Sequence, residues 1–350
     1  MKLIHGGDWA GYRAEYGREP LDFSANVSPL GVPDGIKAAI AGALDTADRY
    51  PDPLCRALCG AIAEKEAVPA SFCLCGNGAA DLIFRFAAAK KPKRALILAP
   101  CFAEYETALC TVGCAVEAYP LREENDFHLD EGFLERIVPG VDVVFLCEPN
   151  NPTGVTSPRA LLDGILARCE AVGAVLALDE CFGSFLDDPA AHTMKRELAA
   201  HPNLLILKAF TKLYAMAGVR LGYCLCADGS LLDAMRAAGQ PWAVSSLAQA
   251  AGVAALSEDG YVARVRELIA VERPYLIGAL TDLGLRVIAG EANYLLFHSP
   301  VPLAQAMREK GILLRDCSNY RGLSSGWYRA AVRTHAENTQ LIAAIREVQI

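Results

Sequence analysis

A chain of 350 residues exceeds one minimal domain, and 53% apolar with 21% charged residues describes a globular protein with an ample core. The net charge of −8, with one short basic block at Lys90-Lys-Pro-Lys-Arg94 and no longer one, argues against nucleic-acid and anionic-membrane surfaces. Small molecules or a second copy of the chain are the expected partners. The N-terminus carries no apolar signal region, and the longest uncharged run, 237–257, is broken by Gln, Ser and Pro241 and does not read as a membrane span, so a cytoplasmic enzyme-sized protein is expected.

In chain order, the first segment with a local signature runs from Asp22 to Pro33, where proline and glycine are placed for an ordered loop. From about residue 50 to about 245, short apolar runs alternate with longer amphipathic stretches, the pattern of an α/β domain with a mostly parallel sheet. The apolar runs predict strands at 72–75, 95–99, 143–147, 175–178, 204–207 and 221–225, and the stretches between them predict helices at 79–89, 105–112, 158–172 and 231–238. Beyond Ser245 a long charged helix, 261–278, precedes strands at 285–288, 294–297 and 328–332, which form a second, smaller α/β unit. The first 40 residues are expected to pack on that unit. The expected division is a large domain at 41–245 and a small one built from 1–40 and 246–350.

Thirteen cysteines are an odd number without a single Cys-x-x-Cys. Cys73/Cys75 and Cys224/Cys226 alternate along apolar strands, while Cys55/Cys59 and Cys110/Cys114 have one-turn helical spacing. They read as small buried hydrophobes. No histidine pair accompanies them at finger-like spacing, so no metal site is expected.

In an open parallel sheet, ligands bind at the carboxyl ends of the strands. The first predicted strand enters Gly76-Asn-Gly78, where backbone N–H groups and a helix N-terminus can cradle a phosphate. The strand 143–147 ends in Glu148-Pro-Asn-Asn151-Pro-Thr-Gly154, whose prolines fix the backbone and leave the Asn151 amide projecting as a donor. Asp179-Glu180 closes the strand 175–178, and a carboxylate there must be paired or exposed; a protonated pyridine nitrogen is one partner. Lys212 lies a few residues beyond the apolar run 204–207, where burial would lower its pKa and leave a nucleophilic amine able to form a Schiff base with an aldehyde. Arg220, eight residues on, supplies a charge for a phosphate.

Taken together and in this order, these motifs resemble the fold-type I pyridoxal-phosphate enzymes of the class I/II aminotransferase superfamily, over essentially the whole chain. The resemblance implies an α/β transferase fold, with a mostly parallel central sheet in a large domain plus a smaller α/β domain, and pyridoxal 5'-phosphate as cofactor. By that resemblance Lys212 anchors the cofactor aldehyde, Asp179 keeps the pyridine nitrogen protonated, Asn151 binds the phenolic oxygen, and Arg220 binds the phosphate with Gly78, Ala79 and Thr211. Phe102 matches the aromatic that stacks on the ring.

The phrases His5-Gly-Gly7, Leu21-Asp-Phe-Ser-Ala-Asn26, Arg49-Tyr50-Pro51-Asp52, Phe102-Ala-Glu-Tyr105, Gln240-Pro-Trp242, Ala292-Asn-Tyr-Leu-Leu296 and Asn319-Tyr320 narrow the resemblance to the histidinol-phosphate aminotransferase branch, and within it to the amino-acid-phosphate decarboxylases. This implies a homodimer in which Tyr50 reaches the neighbouring subunit's cofactor phosphate. It also implies that Arg329 grips the substrate α-carboxylate, while Arg315, His5 and Asn26 face the substrate phosphate. Two arginines for two anionic groups suit a phosphorylated amino acid by charge matching. Arg333, four residues from Arg329, is expected on the same strand face, so the choice between them rests on the resemblance alone.

The chain departs from the superfamily pattern at Phe182, where many relatives have tyrosine, at Ala209, where Ser or Thr is frequent, and at Ala79-Ala80, where hydroxyl or acidic side chains are common. Phosphate binding would then lean on backbone N–H groups. The implied activity is decarboxylation of a phosphorylated hydroxy-amino acid. Transamination of histidinol phosphate or an aromatic amino acid is the alternative, and a non-catalytic pyridoxal-phosphate-binding regulatory domain is a remote one.

Overall fold

The computed structural model describes residues 5–349. Thirteen strands fall in chain order: β1 (Leu21–Asp22), β2 (Cys73–Gly76), β3 (Arg94–Ala99), β4 (Ala115–Pro120), β5 (Val143–Cys147), β6 (Val175–Asp179), β7 (Leu204–Ala209), β8 (Gly222–Cys226), β9 (Arg286–Ile288), β10 (Tyr294–His298), β11 (Ile312–Leu313), β12 (Arg315–Asp316) and β13 (Trp327–Ala331). Seven of them form the central sheet in the order β2-β8-β7-β6-β5-β3-β4. Only β8 runs antiparallel to its neighbours. The near-continuous apolar character of β5 and β6 follows from burial on both faces, the mark of a parallel sheet covered by helices.

The helices Ala79–Lys90, Glu104–Thr111, Arg159–Val172 and Gly229–Ala238 flank this sheet. One core, with Leu82, Phe86, Tyr105 and Phe145, fills one face; a larger one covers the other face and continues into the second sheet. That sheet, in the order β12-β13-β10-β9, is antiparallel throughout. β1 pairs in parallel with β11, which joins the N-terminal segment to the C-terminal unit.

Several elements differ from expectation. The edge strand β4 escaped the sequence reading because Glu117 and Pro120 interrupt its apolar pattern, as an edge position tolerates. The helix Ser246–Ala255, almost free of charged residues, carries no amphipathic signature, yet it packs against the helix Asp34–Ala43. β13 stops at Ala331, so Arg333 lies beyond the strand and not on the same strand face as Arg329. Cys114 likewise falls past the end of its helix at Thr111. Among the described residues no helix is long and apolar enough to cross a membrane.

Candidate active site

The carboxyl ends of β5, β6 and β7 open into a cavity of about 360 Å³. Its wall brings together Lys212, Asp179, Asn151, Phe102, Ala79, Thr211 and Arg220 from the central-sheet connections, with His5, Asn26, Arg315 and Arg329 from the N-terminal segment and the second sheet. Tyr50 is not on this wall. It is 79% exposed and stacks on Trp242, with ring centroids 4.4 Å apart.

Lys212 follows β7 in a single helical turn, Phe210–Leu213, which carries its side chain into the cavity. Burial, and next the positive charge of Arg329, lowers its pKa to about 8. Its Nζ stands 6.0 Å from the centroid of Phe182, the residue that replaces the tyrosine of many relatives. Facing it, Asp179 ends β6 at 5% exposure and accepts one hydrogen bond on each oxygen, from the Tyr105 hydroxyl at 2.6 Å and from the Cys181 N–H at 2.9 Å. A buried carboxylate so fixed presents its oxygens in one orientation.

The turn after β2 fits a phosphate. Gly78 (φ +84°) caps the helix Ala79–Lys90 with no side-chain hydrogen bond, so that end offers its N–H groups to a ligand. A Cβ on Gly78 would stand 2.5 Å from Arg220 Nη2, and one on Gly222 would stand 2.6 Å from the Ala79 nitrogen. Glycine at both positions lets the Arg220 guanidinium and the helix end close on one anion. With Thr211 beside them and Asp179 opposite, the donor set suits a ring that carries a phosphate at one end and a protonated nitrogen at the other.

The second sheet supplies the remaining charges. Arg329, on β13, is 6% exposed; it donates through Nη1 to Asn151 Oδ1 and through Nη2 to the Ser24 carbonyl at 2.9 Å. Its Nε has no partner among the described residues. Accepting through Oδ1 leaves the Asn151 Nδ2 as a donor toward the cavity. Arg333 instead donates to the Asp22 carbonyl at 3.0 Å and pairs with Glu337 at 2.6 Å, away from the cavity wall. Arg315, 8% exposed, donates to Asn319 Oδ1 at 2.8 Å and lies 5.1 Å from the Tyr320 ring. Asn26, 2% exposed, has no partner for either amide atom among the described residues, and His5 meets Glu104 at 2.6 Å over the face of the cavity.

Tyr105, Tyr320 and Glu104 are wall residues to which the sequence reading assigned no role. Nothing local in the sequence pairs Tyr105 with an aspartate 74 positions away. A larger cavity of about 530 Å³ is lined by Lys208 of β7, where Glu66 accepts from Lys195 at 2.8 Å, from Lys208 at 3.0 Å and from the Tyr223 hydroxyl. The unspent amine and the unpaired amide lie in the smaller one.

Residues 18–345 match the model of the aminotransferase class I and II family. The chain belongs to that family. It is a pyridoxal-phosphate-dependent enzyme of the fold-type I architecture. The chain is 39% identical over 351 residues to the threonine-phosphate decarboxylase of Salmonella typhimurium, covering 98% of this chain and 96% of that protein. Among solved structures it is similar to the histidinol-phosphate aminotransferase of Clostridium acetobutylicum, with a TM-score of 0.88 at 27% identity, covering 94% of this chain and 99% of that one. The L-threonine-O-3-phosphate decarboxylase of Porphyromonas gingivalis gives a TM-score of 0.83 at 26% identity, covering 93% and 98%. Family members with different reactions thus share one backbone, and the reaction must be read from side chains.

Proposed function

We propose that this enzyme decarboxylates L-threonine O-3-phosphate, releasing CO2 and (R)-1-aminopropan-2-yl phosphate for cobalamin biosynthesis. The observation that carries the reading is the presence of two buried guanidinium groups, Arg315 and Arg329, on the wall that also holds Lys212. A substrate with one amine and two separated anionic groups satisfies all three. Near-full-length identity to a threonine-phosphate decarboxylase supports decarboxylation over transamination.

Gly78, Ala79, Thr211 and Arg220 would hold the cofactor phosphate, Asn151 its phenolic oxygen, Phe102 its ring face, Asp179 its ring nitrogen and Lys212 its aldehyde. When bound, pyridoxal phosphate would supply the electron sink that stabilises the negative charge left on the α-carbon. Arg329 would bind the α-carboxylate, and the orientation in which it holds that group would select loss of CO2 or of the α-proton. Arg315, His5 and Asn26 bind the substrate phosphate, which prevents rotation about the α-carbon. Lys212, with a pKa of about 8, exists in both forms near neutrality and can return a proton to the α-carbon. Phe182 and Phe102 limit water around the amine.

The enzyme works as a homodimer with shared sites, Tyr50 reaching the neighbouring cofactor phosphate; its high exposure within one chain supports this. Thirteen cysteines without a disulfide among the described residues fit the reducing cytoplasm. The division into 41–245 and 1–40 with 246–350 is supported by the confinement of each large sheet to one part.

The decisive experiment incubates the pyridoxal-phosphate-loaded enzyme with O-phosphothreonine or O-phosphoserine and no keto acid. Release of CO2 with the coenzyme retained as the aldehyde form is expected. Conversion of the coenzyme to its amine form without CO2 would establish an aminotransferase, the reading that the fold likeness to the Clostridium enzyme also allows.

A further inference from the structure

Four of the thirteen cysteines converge where the helix Arg56–Glu66 packs on β2. Cys73 and Cys75 stand two apart on the strand and therefore share a face, while Cys59 projects from the end of the helix's first turn. Their three sulfurs all lie within 4.8 Å of one another, and Cys59 Sγ is 3.6 Å from Cys75 Sγ. Cys55, the residue that caps the same helix, interacts with the Cys75 thiol but falls outside this mutually close trio. Each of the four is at most 8% exposed.

Thiols used only as small hydrophobes need no contact with one another. A tetrahedral ion held by thiolates at about 2.3 Å spaces its sulfurs about 3.8 Å apart, close to the separation of Cys59 and Cys75. The pairing of ligands also has a geometric reason. Cys55 and Cys59 are spaced by a helical turn and Cys73 and Cys75 by a strand repeat, so three thiols meet at one point and the fourth stands next to them. No Cys-x-x-Cys is needed for that arrangement.

The surroundings favour a thiolate. Cys59 sits near the helix N-terminus, where the backbone dipole stabilises negative charge.

We propose that Cys59, Cys73 and Cys75, with Cys55 as fourth ligand, form a binding site for one thiophilic d10 cation, zinc. Soft sulfur ligands select such an ion over magnesium or calcium. On binding, the remaining S–H protons leave to solvent and four S–Zn bonds form, with no change of oxidation state. β2 runs directly into the Asn77-Gly78 turn, so the ion would tie the helix Arg56–Glu66 to the strand beneath the phosphate cradle. Its role is structural and stands apart from the reaction.

The test uses the pyridoxal-phosphate-loaded protein, purified anaerobically without chelator and assayed for metal by mass spectrometry. After chelator treatment it is titrated with cobalt(II), then zinc. One zinc per chain is expected, together with a thiolate-to-cobalt charge-transfer band that saturates at one cobalt per chain and is abolished by zinc. Cys75→Ser and Cys59→Ser should each weaken cobalt binding at least tenfold, whereas Cys110→Ser, at an exposed thiol on another helix, should not. The coenzyme's absorbance reports whether each variant is folded. Zinc X-ray absorption on the unmutated protein is independent of folding in the variants and should give a sulfur shell at about 2.3 Å. The proposal is overturned by absence of the band at equimolar cobalt, by its persistence in Cys75→Ser, by a shell of nitrogen and oxygen only, or by a Cys59–Cys75 disulfide in the anaerobic preparation.

Discussion

The Tyr105 hydroxyl donates to Asp179 Oδ2 at 2.6 Å from a side chain with no exposed surface. Tyr105 belongs to the helix Glu104–Thr111, which packs against the central sheet, so a core residue orients the carboxylate proposed to meet the cofactor. Burial and the Asp179 charge hold that hydroxyl protonated. Tyr105→Phe leaves one carboxylate oxygen without its donor. Hydrogen bonds to charged groups are worth about 1.5–3 kcal/mol, so kcat/KM for CO2 release should fall roughly ten- to a hundredfold. Steady-state rates measured at saturating coenzyme check this, and a loss under about twofold would remove Tyr105 from the positioning of Asp179.

The lowered pKa of Lys212 sets a pH dependence. Only the neutral amine attacks an aldehyde, so the rate at which apoenzyme captures pyridoxal phosphate should rise with pH and level off above about 8. The same shift acts on stability. The unfolded chain binds this proton up to the ordinary lysine value, and the folded apoenzyme releases it earlier. This group's contribution is therefore fully present above the unfolded pKa and is lost as pH falls through about 8. Stopped-flow absorbance across pH tests the first expectation; a rate that keeps rising to the pH of an ordinary lysine would contradict it.

Arg329 and Arg333 should separate cleanly. Truncating a buried, hydrogen-bonded charge typically costs about 2–5 kcal/mol, so Arg329→Ala should lower kcat/KM by a factor of roughly thirty to several thousand. Arg333→Ala removes the Glu337 pair and the contact with the Asp22 carbonyl, which should appear as a lower melting temperature with the reaction largely intact. Equal losses of activity in the two variants, at matched folding, would mean that the carboxylate is not assigned to one of them.

Tyr50 offers a test of shared sites. Its ring is exposed within one chain, so Tyr50→Phe should leave the melting temperature of coenzyme-free protein unchanged. If its hydroxyl serves the neighbouring cofactor, the same variant should weaken pyridoxal-phosphate binding by about 0.5–1.5 kcal/mol, roughly two- to tenfold in Kd. Sedimentation should give a dimer for both proteins. A monomer with unimpaired cofactor affinity would exclude the shared-site arrangement.

Local chemistry explains which elements were legible. Apolar runs between turn signals marked β5 and β6 almost to the residue, because strands buried on both faces need unbroken apolar sequence. β4 failed that test because an edge strand tolerates Glu117 and Pro120, and the helix Ser246–Ala255 failed it because a helix rich in alanine shows no polar face. At the site, Asn151, Asp179 and Lys212 were visible because each follows directly from a recognisable strand. Arg333 was misplaced by two residues of strand length, enough to remove it from the cavity wall.

The sequence alone carried the superfamily and the cofactor through its resemblance to a known family, and its apolar periodicity marked the strand ends from which the candidate side chains project. Tertiary packing decided which of those side chains meet. It placed Tyr105 on Asp179, tied Arg329 to Asn151 across 178 positions, and drew Cys59 to Cys75 from a different element. Such contacts depend on how helices and sheets stack, and a sequence carries no local signal for a partner that only the closed core brings within hydrogen-bonding distance.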